Sequence, residues 1–408
     1  MRHVKDTDIA LGWMESSLSY GQVNKMRLLL LATVFAACVF PYVAAGRFVC
    51  YFPNWAIERQ EPWQIGVDNI DTKLCTHLVY AFADLDETTF KIKPNNPAVD
   101  IDQEFYRKFT GLKSQNPSLK TMLAVGGWVD SNINDKYSQL VASRENIDVF
   151  VGSVVSLLKE YGFDGLDMDW EYPRSDADKT GFINLMVALK DAFAPFNYIL
   201  SAAVAPITTD LGYDIPTLET TADFINLMTY DMHGGWEPDM ADHHAPLRKR
   251  SFETIDYNVE SSVHHWITNG LSASKINLGM PLYGRSWKLA SAMTPPPAPA
   301  VGVGAPGPFT KEESYVSYFE ICQAVQNEGW QVVQDPDQFI GPYALSPTDV
   351  VNWIGYDDIT MLTTKSNYVL SKGLGGAMVW EISLDDYRGA CGAGMNPLLT
   401  AISRIVVA

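Results

Sequence analysis

The fold of this protein is most readily predicted from residues 163–173, which read FDGLDMDWEYP. Successive side chains of a β-strand point to opposite faces, so this alternation places Asp167, Asp169 and Glu171 together on one face. An inward row of carboxylates is costly unless the groups are paired, protonated or used in chemistry. The stretch therefore predicts a buried strand that ends at a functional site.

Short apolar segments like this one alternate with stretches of helical periodicity, which is typical of a parallel sheet with crossover helices. The predicted strands are 47–52, 76–83, 121–126, 163–169, 199–203, 224–229, 276–281 and 375–380. Apolar residues at helical spacing also predict a helix over 143–161. Eight strands with intervening helices predict an α/β fold, the (β/α)8 TIM barrel, with its chemistry at the carboxyl ends of the strands.

One interval, residues 286–356, is too long for a simple crossover between the seventh and eighth strands. It contains the Pro- and Gly-rich stretch 295–308, and a disordered linker is one interpretation. Aromatic residues favour folded packing instead, namely Tyr315, Tyr318, Phe319 and Trp330. We therefore predict one domain over 46–408, with 286–356 as a small inserted α+β subdomain.

Residues 1–45 differ from the rest of the chain. Lys25 and Arg27 precede an apolar run over 28–40, and the run is followed by small residues up to Ala45. These features are typical of a secretory signal peptide, and the run is short for a membrane span. An uncleaved signal anchor is the alternative. We expect a signal peptide cleaved after Ala45, and a secreted, extracellular protein with no membrane association thereafter.

The number of cysteines is consistent with export. Of the five, Cys38 would leave with the signal peptide, and the remaining four form an even set suited to two disulfides. The sequence alone permits three pairings. We prefer Cys50 with Cys75, which would tie adjacent strands, and Cys322 with Cys391, which would hold the C-terminus.

Charge and spacing disfavour several classes of ligand. The formal net charge of −18 repels phosphate backbones and anionic surfaces, so no nucleic-acid partner is expected. The carboxylate strand lacks the loop oxygens and glycine turns of calcium sites, and no CxxC spacing suggests zinc. We expect no metal, no cofactor and a monomer. The histidine pairs 243–244 and 264–265 are predicted to be surface or loop residues.

The order of the acids along the strand predicts their roles. Glu171 stands at the strand end and would project into the cleft as a proton donor. Asp169 would be its mobile partner, and Asp167 the buried residue that shares charge behind them. Asp164 is out of phase with the other acids, so we expect it to hydrogen-bond backbone groups instead.

Residues 163–173 resemble the DxxDxDxE signature of family 18 chitinases. Further motifs of that family follow in order. They are YFPNW at 51–55, GGW at 126–128, MTYD at 228–231, PLYGR at 281–285, WIGYDD at 353–358 and GAMVW at 376–380. The resemblance covers about residues 47–400 and is greatest to animal chitinases, with an arthropod type expected.

The resemblance implies substrate-assisted, retaining hydrolysis of the β-1,4-linked N-acetylglucosamine of chitin or chitooligosaccharides, without an enzyme nucleophile. It implies that Glu171 protonates the leaving oxygen and later acts as a base for water. Asp169 would hydrogen-bond the acetamido N–H of the substrate, and Tyr230 would orient the acetamido oxygen.

Aromatic rings suit a sugar polymer because the flat C–H faces of pyranose rings stack on indole. Four tryptophans lie at or just beyond strand ends, namely Trp55, Trp128, Trp236 and Trp380. A single tryptophan there would more often belong to the core, but four at one rim favour binding. The resemblance implies further substrate contacts from Tyr51, Gly127, Tyr172, Met228, Asp231, Tyr283 and Arg285.

Two departures from the family pattern occur. Ala124 stands where serine is frequent, and Glu381 follows Trp380 where a small or apolar residue is usual. Glu381 could face either the cleft or the surface. Two other functions compete with an active endochitinase, namely a lectin-like binding protein and an endoglycosidase acting on N-linked glycans. The presence of Glu171 favours the enzyme, because this mechanism requires its proton donor.

Overall fold

A computed structural model describes residues 46–207, 212–348 and 350–407. The predicted signal peptide within 1–45 lies outside these residues. Across the described ranges, no helix combines the length and apolar character needed to span a membrane.

The strands of the described residues form two sheets. They are β1 (Arg47–Pro53), β2 (His77–Leu85), β3 (Ile92–Pro94), β4 (Lys120–Gly126), β5 (Gly165–Asp169), β6 (Ile199–Val204), β7 (Phe224–Leu227), β8 (Met240–Ala241), β9 (Ile276–Pro281), β10 (Tyr283–Leu289), β11 (Ala298–Val303), β12 (Tyr315–Ser317), β13 (Gln331–Val333), β14 (Tyr343–Leu345), β15 (Asn352–Tyr356) and β16 (Gly376–Trp380).

Eight parallel strands close into a barrel in the order β1, β2, β4, β5, β6, β7, β9 and β16, and β16 pairs again with β1. The predicted (β/α)8 TIM barrel is therefore confirmed. The observed strand ends differ from the predicted ends by no more than two residues. The short β3 adds to β2 in antiparallel orientation.

Helices cover the barrel, and one more, Tyr318–Asn327, belongs to the segment between the seventh and eighth barrel strands. They are α1 (Phe105–Gly111), α2 (Gly127–Asn132), α3 (Lys136–Val141), α4 (Arg144–Tyr161), α5 (Asp176–Phe193), α6 (Ile215–Thr221), α7 (Val259–Thr268), α8 (Tyr318–Asn327), α9 (Ile359–Ser371) and α10 (Pro397–Val406). The helix predicted over 143–161 is α4. Ser143 caps its first turn, and Gly162 ends it in the left-handed region at φ 79°.

The carboxylate strand β5 lies between β4 and β6, with Asp167 level with Ala124 and Ser201. At its open end, Asp169 is level with Gly126. Gly126 has φ 113°, and a Cβ there would lie 2.1 Å from the carbonyl oxygen of Asp169. Only glycine therefore allows the two strands to approach as they do beside the site.

Asp164 hydrogen-bonds a backbone group, as predicted from its position out of phase with the other acids of the strand. Its carboxylate accepts hydrogen bonds from the backbone nitrogen of Thr121 at 2.7 Å and from the Thr121 hydroxyl at 3.1 Å. Lys113 pairs with the same oxygen at 3.0 Å. These contacts join the beginning of β5 to β4, away from the open end of the strand.

The second sheet is antiparallel and contains β10 to β15 together with β8. With α8 it forms the inserted α+β subdomain that the sequence predicted between the seventh and eighth barrel strands. The sheet begins at Tyr283, and β8 joins it from the loop that follows β7, which the sequence did not indicate. Trp287, Tyr343 and Trp353 pack in its core. The bounds 46–408 and 286–356 stay predictions.

Both predicted disulfides are present. Cys50 of β1 bonds Cys75, with their Cα atoms 6.2 Å apart, and Cys322 of α8 bonds Cys391, with Cα atoms 6.0 Å apart. Asp386 lies beside the second disulfide, and the three residues form the single metal-like His/Cys/Asp/Glu group of the described part of the chain. Because both sulfurs are already bonded to each other, this group does not form a thiolate metal site.

The first histidine pair lies in a loop, as predicted, but it is buried and not at the surface. His243 and His244 are 1% and 0% exposed, and their Nε2 atoms lie within hydrogen-bond distance of the carbonyl oxygens of Tyr356 and Tyr283. These carbonyls belong to the second sheet, which is distant in sequence. In the other pair, His264 is exposed on α7, as expected.

Candidate active site

A cleft of about 960 Å³ lies at the carboxyl ends of the barrel strands. Its lining includes every predicted catalytic or substrate-binding residue except Asp167, which is buried behind the cleft. These are Tyr51, Trp55, Gly127, Trp128, Asp169, Glu171, Tyr172, Met228, Tyr230, Asp231, Trp236, Tyr283, Arg285 and Trp380. The barrel thus brings together residues that are spread over about 330 positions of the sequence.

Asp167 is fully buried and well hydrogen-bonded. It accepts from the Tyr51 hydroxyl at 2.5 Å, the Ser201 hydroxyl at 2.5 Å and the Asn226 amide nitrogen at 3.1 Å. Burial raises the pKa of Asp167, and these three donors counteract the rise. The network fixes the carboxyl group beneath the site.

Asp169 is 3% exposed, and its Oδ1 has no hydrogen-bond partner within the described structure. Burial, followed by the nearby charges of Glu171 and Asp167, raises its pKa well above the usual range. An unsatisfied buried carboxyl oxygen in a cleft is available to a ligand donor such as an amide N–H.

Glu171 lies at the open end of β5, and α2 holds its backbone. Its amide donates to the Ser131 hydroxyl at 3.0 Å, and its carbonyl accepts from the Asn132 side chain at 3.1 Å. Burial raises the pKa of Glu171 to about 7, a hydrogen bond with Tyr172 lowers it, and the charge of Asp231 raises it. Glu171 therefore keeps a proton near neutral pH, as a general acid requires.

Asp231 lies near Glu171 and is negatively charged. Burial alone would raise its pKa, but the charge of Arg285, together with the hydrogen bonds from its guanidinium, holds the pKa well below its usual range. Arg285 binds both carboxylate oxygens at 2.8 Å. Tyr230 is nearby, and burial with the charges of Asp169 and Glu171 raises its pKa. Its hydroxyl thus stays protonated and able to donate.

Aromatic rings form much of the cleft surface. The Trp380 ring lies 5.5 Å from Tyr51, 5.7 Å from Phe82 and 6.2 Å from Trp55, between ring centroids. Trp55, Trp128 and Trp236 are 43%, 58% and 59% exposed, which is unusual for such large apolar side chains. The cleft therefore offers both enclosed and open stacking surfaces for sugar rings.

Sequence reasoning missed several lining residues. Phe82 lies in β2 towards its carboxyl end, where the barrel rule could have identified it. A Cβ on Gly127 would lie 2.6 Å from its ring, so this glycine accommodates Phe82. Tyr315 comes from the second sheet and stacks on Tyr283 at 4.4 Å. No local signal marks Tyr315, because the insertion brings it to the cleft.

The orientation of Glu381, which the sequence left open, is toward the cleft. The residue is 2% exposed and lines the cleft. Its carboxylate accepts from the backbone nitrogen and the hydroxyl of Ser383, each at 2.6 Å. Burial raises the pKa of Glu381 to about 7, against the opposing charge of Arg59. Glu381 therefore stabilises the turn that follows Trp380.

The sequence model of Glycosyl hydrolases family 18 matches residues 47–385. The chain belongs to glycosyl hydrolase family 18. Its relatives in the family include Probable chitinase 10 of Drosophila melanogaster, 40% identical over 370 residues, with 88% of this chain but 16% of the relative covered. Endochitinase of Manduca sexta is 36% identical, with 92% of this chain and 70% of the relative covered.

Solved family 18 structures agree with the fold. Catalytic domain 2 of Ostrinia furnacalis Group II chitinase has a TM-score of 0.85 at 39% identity, with 88% of this chain and 96% of that chain covered. A mutant of that domain was solved in complex with penta-N-acetylchitooctaose. Human YKL-39, described as a pseudo-chitinase with retained chitooligosaccharide binding properties, has a TM-score of 0.82 at 35% identity, with 89% and 100% covered.

Membership in family 18 and these relatives place the chain in the chitinase group of that family. The family contains both chitinases and pseudo-chitinases, so membership alone does not distinguish hydrolysis from binding. Hydrolysis and binding must therefore be distinguished from the residues of the site.

Proposed function

We propose that this protein is a secreted endochitinase that hydrolyses β-1,4-N-acetylglucosamine linkages with retention of configuration. One observation carries the proposal, namely a protonatable Glu171 at the open end of β5, in front of the buried acids Asp169 and Asp167. The two disulfides and the predicted signal peptide support secretion. We further propose that residues 46–408 act as one monomeric catalytic unit.

In the first step, the protonated carboxyl of Glu171 gives its proton to the glycosidic oxygen, and the bond from that oxygen to the anomeric carbon breaks. The acetamido oxygen of the same sugar attacks the anomeric carbon, which gives an oxazolinium ion. The unsatisfied Oδ1 of Asp169 accepts the acetamido N–H, and the Tyr230 hydroxyl donates to the acetamido oxygen. No enzyme carboxylate bonds to the sugar.

In the second step, Glu171 is a carboxylate and accepts a proton from water as the water attacks the anomeric carbon. The oxazolinium ring opens, the acetamido group is restored, and Glu171 is protonated again. Two displacements on opposite faces leave the configuration retained. The Oδ1 of Asp169 stabilises the oxazolinium ion between the steps by accepting its ring N–H, and Asp167 holds the strand below it.

The aromatic surface supports a polymer as the substrate. Trp380 provides an enclosed platform next to the acids, while Trp55, Trp128 and Trp236 extend the stacking surface over the exposed rim. A cleft of about 960 Å³ that is open to solvent along its rim accommodates several sugar rings in a row. We therefore propose internal cleavage of chitin or chitooligosaccharide chains.

A binding protein without catalysis is the second candidate, because YKL-39 has the same fold and retains chitooligosaccharide binding. The test compares wild type with Glu171→Gln on a fluorogenic chitotrioside, together with chitooligosaccharide affinity. We expect kcat to fall by about 100-fold or more while binding is retained, because only the proton donor is lost.

Glu313→Gln is the matched control, because Glu313 is exposed and lies outside the cleft lining. It should leave both measurements unchanged. If wild type hydrolyses the chitotrioside no faster than Glu171→Gln and both bind, the protein is a lectin. Release of N-linked glycans in place of chitotrioside hydrolysis would indicate the endoglycosidase.

A further inference from the structure

The buried ring of His244 contacts a residue of the cleft through its backbone. His244 lies in the loop between β8 and α7 and is fully buried. Its Nε2 is 3.1 Å from the carbonyl oxygen of Tyr283. Its Nδ1 is 3.4 Å from the backbone nitrogen of Asp231 and 3.4 Å from the Oδ1 of the same residue.

These contacts determine which ring nitrogen carries the proton. A carbonyl oxygen only accepts, so Nε2 must carry hydrogen to bond Tyr283. In a neutral ring Nδ1 is then an acceptor, and the N–H of Asp231 is the donor that faces it, while the Asp231 Oδ1, also 3.4 Å from Nδ1, is already bound by Arg285. Burial lowers the pKa of His244, which favours the neutral ring. The ionisable groups that face it are Asp231, Arg285, His243 and Lys365.

The backbone of Asp231 has an unfavourable conformation, which the contact with His244 helps to hold. It has φ 54°, in the left-handed region that is unfavourable for residues other than glycine. In this conformation its carboxylate meets both nitrogens of the Arg285 fork at 2.8 Å, and its charge acts on Glu171. A rotation of the backbone at Asp231 would move the carboxylate away from both groups.

The surroundings of His244 leave the ring in one orientation. Its plane is within 17° of that of His243, at a centroid distance of 5.7 Å, and the Tyr283 ring lies 4.8 Å away. The backbone of His244 is held as well, because its carbonyl accepts from the amide of Met232 at 2.9 Å. Both ends of the loop segment 231–244 are thus joined next to the cleft.

We propose that His244, as the neutral Nε2–H tautomer, is a positioning residue that holds the backbone of Asp231 in its left-handed conformation and thereby places the Asp231 carboxylate beside Glu171. Its catalytic consequence rests on the proposed chitinase function. The tautomer and the contact with Asp231 do not depend on that function.

Two substitutions test the contacts of Nδ1 and of Nε2 separately. His244→Asn keeps an oxygen near the position of Nδ1, so it still accepts from the N–H of Asp231. His244→Gln places its amide near Nε2, so it keeps the donor to Tyr283 and loses the contact with Asp231. We expect His244→Asn to retain kcat within about twofold and His244→Gln to lose about tenfold, with little change in KM. His264→Asn, on the exposed face of α7, is the control.

The pH dependence of kcat and the melting temperature complete the test. His244→Gln should also displace the basic limb of the kcat profile, because the Asp231 charge no longer acts on Glu171 from a fixed place. If both variants lose stability equally and keep the kcat and pH profile of wild type, His244 is only a core residue and the proposal is wrong.

A measurement without substrate keeps the two proposals apart. In ¹⁵N-histidine NMR of the unliganded protein, the His244 signals, assigned by their loss in His244→Asn, should show a protonated Nε2 and an unprotonated Nδ1. A protonated Nδ1 at neutral pH would overturn the inference. An inactive wild type with the expected tautomer would instead contradict the proposed function and leave the positioning of Asp231 supported.

Discussion

Glu171 is an ordinary glutamic acid whose surroundings make it a proton donor at neutral pH. Burial raises its pKa from 4.5 to about 7, and the charge of Asp231 adds to the rise. The general acid is active when protonated, so kcat should decrease as pH increases through about 7. A pH profile of kcat on a chitooligosaccharide measures this limb, and a limb near 4.5 would show that burial does not perturb Glu171.

The contribution of Asp231 to this limb can be tested separately. Asp231→Asn removes a negative charge near Glu171, which should lower the pKa of Glu171 and displace the basic limb to lower pH. Asp337→Asn removes an exposed charge outside the cleft and should leave the limb in place. Equal displacement in both variants would mean that overall charge, and not the local pair, controls the profile.

Trp380 is the tryptophan that packs against Tyr51, Trp55 and Phe82. Trp380→Ala should weaken chitooligosaccharide binding by about tenfold or more, since it removes a stacking surface next to the acids. Trp380→Phe keeps an aromatic face and should lose less. The affinities are best measured by calorimetry with Glu171→Gln as the background, so that the ligand is not hydrolysed. Identical affinities of the two Trp380 variants would contradict a stacking role.

The short helix α2 connects β4 to the end of the carboxylate strand. The Ser131 hydroxyl accepts from the amide of Glu171 at 3.0 Å and donates to the carbonyl of Asp169 at 3.4 Å. Ser131→Ala should therefore lower kcat by about fivefold with a small effect on stability, because both hydrogen bonds to the catalytic backbone are lost.

Ser143→Ala is the matched control for this experiment. Ser143 also bonds a backbone amide at a helix, but it caps α4 on the outside of the barrel. Its loss should reduce the free energy of unfolding by about 1 kcal/mol and leave kcat unchanged. Steady-state kinetics and thermal unfolding of both variants provide the comparison. A decrease in kcat with Ser143→Ala would show that the assay detects general destabilisation.

Over the molecule as a whole, the two disulfides close loops of very different length. Cys50–Cys75 spans 25 residues and Cys322–Cys391 spans 69. The chain-entropy relation gives about 3.5 and about 4.4 kcal/mol for loops of these lengths. Replacing either pair by serine should lower the melting temperature, with the larger decrease for the longer loop. Activity at 25 °C should be retained, because neither disulfide lines the cleft.

Thermal unfolding of the two double-serine variants, with activity measured in parallel, tests this expectation. The same loss of stability should follow from mild reduction of wild type. Loss of activity before loss of fold would indicate that the second disulfide holds the loop preceding α10 in a position that the cleft requires.

Much of the barrel could be predicted from local patterns. Alternation and apolar runs identified all eight barrel strands, because a strand buried on both faces has a distinctive composition. The phase of β5 also distinguished Asp164, which bonds Thr121, from the acids of the site. The barrel rule then indicated which strand ends meet, and this accounts for the gathering of Trp55, Tyr230 and Trp380 in one cleft.

The tertiary structure decided what depends on contacts between distant segments. His243 and His244 lie in a loop, as the sequence indicated, yet they are buried and contact carbonyls of the second sheet. Glu381 could have faced either side, and the turn at Ser383 directs it to the cleft. Tyr315 reaches the cleft only because the insertion folds back on Tyr283. The sequence determined the strands and the chemistry of β5, since both depend on local spacing, whereas packing alone determined which distant groups support them.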